Sequence, residues 1–381
     1  MYINATHILH LIFIAVYFSC GIFILLVRGV KRPTVYMAGA RLFTAGVFVV
    51  NFMQYYNMPS YGAILFNPLH LFSPLVNFPL QFAYFFCLMR PGSVRRSYWL
   101  MTLVPAGALG LLYLMSVSVK GHTPVFSDYA QIAASLGEPG FWLRLFTLLL
   151  VVVEIIVLSV KGFRMQRQHV RNLQADFSYT EGVSLQWIRW VIYIFIARGC
   201  CAVLNMSLEG PFIKHLNAVV FTLEVVITTV WVLRQKDLYT QPAGKEANDP
   251  DTGYAGDMTG SKPLPETSKK LKQNLLDLLE KDEIFINPDL NSEKVCAMLS
   301  TNRTYLSWVI NQEMNTNFYQ LVNTYRLQKT VGMMQNPQYR QMKLNHIADI
   351  CGFKSLGAFS TFFKQVYGKT PTEWRKMNAG D

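Results

Sequence analysis

The chain has 381 residues, 51% of them hydrophobic and 15% charged, with a formal net charge of +12. That length holds two or three domains, and the composition is too apolar for an ordinary soluble protein, so part of the chain is expected in a membrane. Much of the positive excess lies in short segments between apolar runs, where basic residues set topology, so charge alone does not assign a nucleic-acid partner.

Seven apolar segments come first, near residues 8–27, 36–56, 66–89, 97–117, 141–160, 190–207 and 216–233. Each is close to the ~20 residues that cross a bilayer core as helix. The first runs the full length of a crossing and lacks a basic leader, so it reads as a span and not as a cleaved signal peptide. Pro68, Pro74 and Pro79 interrupt the third and are expected to kink it or shift its ends. Arg28, Lys31, Arg32, Arg90, Arg95, Arg96, Lys161, Arg164, Arg167, Arg171 and Arg189 fall on one set of alternate loops, against Lys120 and Lys214 on the other. Basic loops stay inside, which puts the N-terminus outside and the C-terminus in the cytoplasm, with the protein multi-pass in the inner (cytoplasmic) membrane of a bacterium.

Ionisable residues inside a crossing cost roughly 2.5 to 3.5 kcal/mol on insertion scales, so each needs a reason. Arg198 and Glu224 reach similar depth on antiparallel neighbours and are expected to form an intramembrane ion pair, either locking two helices or reporting a ligand. Arg41 and Glu154 match likewise nearer the inner leaflet. His10, Asn51, Gln54, Asn77 and Gln81 could line a pocket or hydrogen-bond between helices. The cysteines at 20, 87, 200, 201, 296 and 351 make no CxxC pair and no His/Cys ligand spacing, so neither a disulfide framework nor a metal site is expected. With no HExxH, GxSxG, Walker or GxGxxG motif, nothing nominates an enzyme or a cofactor.

Residues 236–268 are rich in Gly, Pro, Asp and Thr without apolar periodicity and read as a flexible cytoplasmic linker, on the order of 30 Å across as a random coil. The first domain is therefore 1–235, and the region 269–381 is a soluble domain. It opens with Leu271, Leu275, Leu278 and Leu279 on one helical face. Ser292 is placed to cap a helix through Leu299, and a turn at Ser300 and Thr301 leads to a second helix. Tyr305, Leu306, Val309 and Ile310 form that helix's buried stripe, leaving Arg303, Thr304, Ser307 and Trp308 on its open side. A long helix from Phe318 to about Met334 follows. Then Ile347 and Ala348 begin a short helix stopped by Gly352-Phe353, and Ser355 caps another that carries Phe359, Phe362 and Phe363. Brace helix, tight turn and reading helix is what a DNA-binding helix-turn-helix needs, and the pattern occurs twice.

In this tandem arrangement the segment from about 269 to 377 resembles the DNA-binding domain of AraC/XylS family transcription regulators. The second-unit signature stands here as Ile347-Ala348, Gly352-Phe353, Ser355, Phe359, Phe363-Lys364, Gly368, Thr370-Pro371 and Trp374-Arg375. The resemblance implies one connecting helix between two units that enter successive major-groove segments of double-stranded DNA. It puts base reading on Arg303, Thr304, Ser307 and Trp308 in the first unit, and DNA contact on Ser355, Gly357, Ser360, Thr361 and Lys364 in the second. Trp308 stands where a basic residue is common, which replaces guanine reading by apolar contact with a thymine methyl. Asn315 replaces a glycine at the end of the first reading helix, tolerable because asparagine also visits the left-handed conformation. The second reading helix has small and hydroxylic side chains, suited to backbone positioning and shape readout, so sequence choice rests on Arg303 to Trp308.

The fold expected is all-α, a seven-transmembrane-helix bundle followed by a soluble tandem helix-turn-helix domain. The function expected is a membrane-bound, sequence-specific transcription regulator whose membrane part senses a small-molecule or extracytoplasmic ligand. A flexible tether then transmits by homodimer formation or by release of a docked domain, with RNA polymerase as partner if the protein activates. A carrier with a fused regulatory domain and a passive anchor in the lipid bilayer are the alternatives.

Overall fold

The computed structural model describes residues 5–57, 71–120, 133–179, 185–207, 211–235 and 265–378. Among these the chain is helical, with a single isolated antiparallel bridge between Phe177 and Asn291. It divides into two compact units, residues 1–167 with 185–235, and residues 168–184 with 236–381.

Among the described residues before 236, the long helices are α1 (Ala5–Arg28), α2 (Arg32–Asn57), α3 (Pro74–Met89), α4 (Arg96–Lys120), α5 (Pro139–Asp176), α6 (Trp187–Ser207) and α7 (Pro211–Arg234). Two boundaries differ from the sequence expectation. Pro74 begins α3, a position where its missing N–H costs nothing, so the third element is a 16-residue helix here. The fifth helix runs on past 160 to Asp176, carrying Lys161, Arg164, Arg167 and Arg171 on helix and not on loop. Its Arg, Gln, Met and Leu content favours helix in water as well as in lipid.

In the first unit α3 is the most enclosed element. Phe78, Phe82 and Phe85 pack with Phe195 of α6 in edge-on and tilted ring contacts, and Phe86 packs on Phe82. Gly21 lets α1 and α2 approach closely, since a Cβ there would lie 3.0 Å from the Leu42 side chain. The opposite faces are apolar too: Leu100, Met101, Val104 and Leu111 on α4, and Phe146, Leu149, Ile156 and Val157 on α5, are all exposed. Stretches of α1, α2, α4 and α5 are each long and apolar enough to cross a membrane.

The second unit contains α8 (Pro265–Glu280), α9 (Ser292–Met298), α10 (Arg303–Trp308), α11 (Phe318–Gln335), α12 (Leu344–Ile350), α13 (Leu356–Tyr367) and α14 (Pro371–Asn378). The domain's first helix starts at Pro265, a few residues before the boundary at 269, and the rest of the expected linker lies outside the described residues. Leu271, Leu275 and Leu279 are buried, as their three-to-four spacing requires. Helix α11 joins two small cores. Its Phe318, Leu321 and Val322 pack with Leu306, Ile310 and Phe285, while its Leu327 and Met334 pack with Ile347, Phe353, Phe359 and Phe363.

Candidate nucleic-acid interface and buried ion triad

Each helix-turn-helix is set by caps and by one or two residues of left-handed backbone. Asn291, not Ser292, caps α9: its side chain accepts from the Lys294 amide at 2.9 Å, and Ser292 is the first helical residue. Ser300 takes the left-handed conformation at φ 49° in the turn, and Asn302 caps α10 by accepting from the Tyr305 amide at 2.8 Å. Asn315 closes the first unit at φ 50°, the role its sequence position suggested.

The second turn is tighter. Gly352 has φ +85°, and its amide and that of Phe353 donate back to Asp349 and Ala348, both at 3.0 Å, which is a Schellman closure of α12. Side-chain space is also missing there, because a Cβ on Gly352 would run into the Ile286 carbonyl oxygen and lie 2.7 Å from the Phe285 oxygen. Ser355 then caps α13 by accepting from the Ala358 amide at 3.0 Å. Gly368 ends α13 at φ +72°, and Thr370 and Glu373 form a reciprocal capping box at the start of α14. Trp374 packs on Phe363 and Tyr367, and Arg375 donates to the carbonyls of Tyr339, Arg340 and Met342, so the closing aromatic-Arg pair ties α14 back onto the domain.

Ile347, Ala348, Gly352, Phe353, Phe359 and Phe363 are all buried. On α10, Arg303 and Thr304 are exposed, while Ser307 and Trp308 are half-buried, with Ser307 Oγ accepting from Asn311 at 3.0 Å. On α13, Gly357, Thr361 and Lys364 are exposed and Ser360 is half-buried. Among the described residues no group of three His, Cys, Asp or Glu side chains is placed to hold a metal ion.

Two turn-linked helix pairs hung on one connecting helix define a tandem helix-turn-helix domain, a DNA-binding class. Residues 295–377 match the helix-turn-helix domain family and form a domain of AraC type. Over 109 residues, 28% of this chain, the sequence is 28% identical to the "TCP pilus virulence regulatory protein" of Vibrio cholerae serotype O1, strain O395 of the classical Ogawa type. The protein of the same name from the El Tor Inaba strain matches to the same extent, and the match spans 38% of the length of each relative. No solved structure matches the chain.

The sequence did not mark several polar groups that this unit gathers. Arg326 of α11 is fully buried and has no carboxylate partner among the described residues: Nε donates to the Phe285 carbonyl (2.7 Å), Nη1 to Ser178 O (3.2 Å) and Asn323 Oδ1 (3.3 Å), and Nη2 to Asn287 O (2.8 Å) and Ser178 Oγ (3.1 Å). Burial away from water pulls its pKa down to about 10. Asp176 meets the exposed Arg303 in an ion pair and accepts from Ser292 Oγ at 3.3 Å. Burial raises the Asp176 carboxyl above its ordinary value, outweighing the opposing pull of Arg303.

In the first unit Arg198 and Glu224 are in contact, Nη1 to Oε2 at 3.0 Å. Arg41 joins the same carboxylate, Nη1 and Nη2 each 3.1 Å from Oε1, so its partner is Glu224 and not Glu154. Both lie roughly 14 Å, about three turns, from the ends of α2 and α7 at Arg32 and Arg234, which brings them to equal depth. Arg41 also donates to Thr228. Arg198 lies over the Phe221 ring at 4.3 Å and the Phe78 ring at 5.3 Å. Two guanidinium groups and one carboxylate, all buried, leave one positive charge, with the Tyr17 hydroxyl nearby and without a hydrogen bond. Of the other polar candidates, Asn77 bonds Thr44 and Gln81. The side chains of His10, Asn51 and Gln54 lie outside the described residues.

Proposed function

We propose that the chain is a membrane-embedded transcription regulator, its helical unit lying in the inner membrane of a bacterium and its tandem helix-turn-helix unit reading operators in the cytoplasm. The observation that carries the reading is the pairing, in one chain, of an AraC-type DNA-binding domain with helices whose outward faces are apolar. Exposed ridges of Leu, Met, Val and Phe on α4 and α5 suit lipid and are unsuited to water. Basic residues on alternate connections support a cytoplasmic C-terminus, and relatives named as regulatory proteins support control of transcription.

Arg303, Thr304, Ser307 and Trp308 carry the sequence choice, and Ser355, Gly357, Ser360, Thr361 and Lys364 position the second helix on the backbone. The Arg41–Glu224–Arg198 triad favours a sensor over a passive anchor. An inert anchor has no use for a buried net charge, whereas an anionic ligand or a helix shift that re-pairs Glu224 would bind two states of the bundle unequally, as any switch requires. Genome-wide occupancy of the full chain tests the DNA assignment. The T304A/S307A/W308A variant should lose its specific peaks, and unchanged peaks would refute it.

A further inference from the structure

The four residues that close α5 and follow it are held by the DNA-binding unit as if by design of the unit itself. Phe177 pairs with Asn291 in an antiparallel bridge at the cap of α9. Ser178 is buried; its amide and hydroxyl both donate to the Leu290 carbonyl, at 3.4 and 2.7 Å. The Ser178 carbonyl accepts from Asn323 at 2.9 Å and Arg326 at 3.2 Å, and its hydroxyl oxygen accepts from Arg326 at 3.1 Å. Lys354, in the turn of the second helix-turn-helix, stands 3.5 Å above the Tyr179 ring and 2.6 Å from the Asp289 carboxylate. Asp176 meets Arg303 on the first reading helix. One short segment therefore touches the entry to the first unit, its reading helix, the connecting helix and the second turn.

We infer that Asp176–Tyr179 is a latch acting in cis, which occupies the DNA-reading Arg303 and must let it go before the first reading helix can engage a major groove. The inference rests on the DNA-binding reading above and adds its control. A guanidinium whose Nη2 is paired with a carboxylate cannot present its full fork to a guanine edge, because the bidentate contact needs the N–H groups of that nitrogen. The hold is also suited to release. Arg326 keeps its bonds to Phe285, Asn287 and Asn323 when Ser178 leaves, and the ion pair brings with it the desolvation of a partly buried carboxylate. The input assigned to the latch is the fifth apolar span, whose helix ends at Asp176.

A latch closed about nine-tenths of the time lowers apparent affinity about tenfold, because only the open fraction binds. The test uses the full-length protein in lipid nanodiscs and duplexes it selects from a random-sequence library. D176A should bind those duplexes about tenfold more tightly than wild type, D176N should fall between, and R303A should lose binding in either background. Hydrogen exchange gives a readout independent of the variants: adding the selected duplex to wild type should remove the protection of the Ser178 amide. Equal or weaker binding by D176A, with R303A weakened, would overturn the latch and leave the DNA-binding reading standing, as would a Ser178 amide that stays protected in the complex. Failure of wild type and D176A alike to select any duplex would remove both.

Discussion

Gly352 and Gly368 offer a matched pair for separating two reasons a helix ends on glycine. Both have left-handed backbone, at φ +85° and +72°, so alanine at either position costs about 1–2 kcal/mol of conformational energy. Only at Gly352 is the space filled as well: a Cβ would collide with the Ile286 carbonyl and lie 2.7 Å from the Phe285 oxygen, whereas nothing stands within 4 Å at Gly368. Those obstacles are backbone atoms of the turn between α8 and α9, which cannot swing aside like a side chain. Relief means separating the second unit from that turn, an overpacking cost of about 1–3 kcal/mol. G352A should thus cost roughly 2–5 kcal/mol in all and G368A about 1–2 kcal/mol. Set against the ~5–15 kcal/mol that holds a typical domain, the first is severe and the second mild. Amide exchange in the full-length protein measures the difference. Protection across α12 and α13 should fall by about thirtyfold or more in G352A and by about tenfold in G368A, at ~1.4 kcal/mol per decade. Equal losses would show that only the dihedral matters and that the contact with Ile286 carries no weight.

Three further outcomes follow from named contacts. N291A should destabilise the first helix-turn-helix by about 1 kcal/mol in chemical denaturation, as loss of a cap does, and S292A by less than ~0.5 kcal/mol, because Ser292 caps nothing; the reverse order would restore Ser292 as the cap. In detergent, E224Q should lower the thermal midpoint of the first unit far more than R198M, since it leaves Arg41 and Arg198 buried without their carboxylate, a loss of about 3–5 kcal/mol for a broken buried pair, while R198M leaves a neutral Arg41–Glu224 pair; equal effects would contradict the charge argument. Lys354 holds the Asp289 carboxyl below its ordinary value of 3.8, so the contribution is present above that value and lost as pH falls through the lower folded-state one. The stability gap between wild type and D289N, small because Asp289 is exposed, should close as pH is taken from 6 to 3; a gap that widened on acidification would reverse the sign.

The second helix-turn-helix was legible to the residue because its signals are local: a glycine forced left-handed, a capping serine and phenylalanines at helical spacing. The first was legible except for its cap, where Asn291 and Ser292 are adjacent good caps and only the aim at the Lys294 amide decides between them, and for the faces of α10, where Tyr305 of the expected buried stripe is half-buried, as are Ser307 and Trp308 of the expected open side. The apolar segments foretold the long helices seen among the described residues, but not that α5 continues to Asp176, since a run with Lys161, Arg164, Arg167 and Arg171 ends a hydropathy window without ending a helix. Depth alone matches Arg41 to Glu154, whereas packing pairs it with Glu224. The placement of the Asp176–Tyr179 segment left no trace in sequence. Its partners lie more than a hundred positions away, and backbone bonds to Leu290, together with side-chain bonds from Asn323 and Arg326, have no periodicity to read.

In the proposed reading, control and specificity meet at Arg303 because the two exposed helices α10 and α13 differ in what their side chains can do. On α13 the exposed residues are Gly357, Thr361 and Lys364, and small or single-charge groups of that kind position a backbone without choosing a sequence. Holding α13 away from DNA would weaken binding everywhere. On α10 the exposed arginine is the one side chain of the set that can read a base bidentately, and it is the one that Asp176 engages. A latch placed there removes sequence choice first and leaves the nonspecific phosphate contacts in place, so the closed protein should still associate weakly with DNA while failing to dwell at its operator. Salt titration distinguishes this from a general block: wild type and D176A should differ in affinity for a selected duplex and converge on a duplex of unrelated sequence, where Arg303 has no base to read. A constant ratio on both duplexes would mean that the segment screens charge and does not withhold a reader.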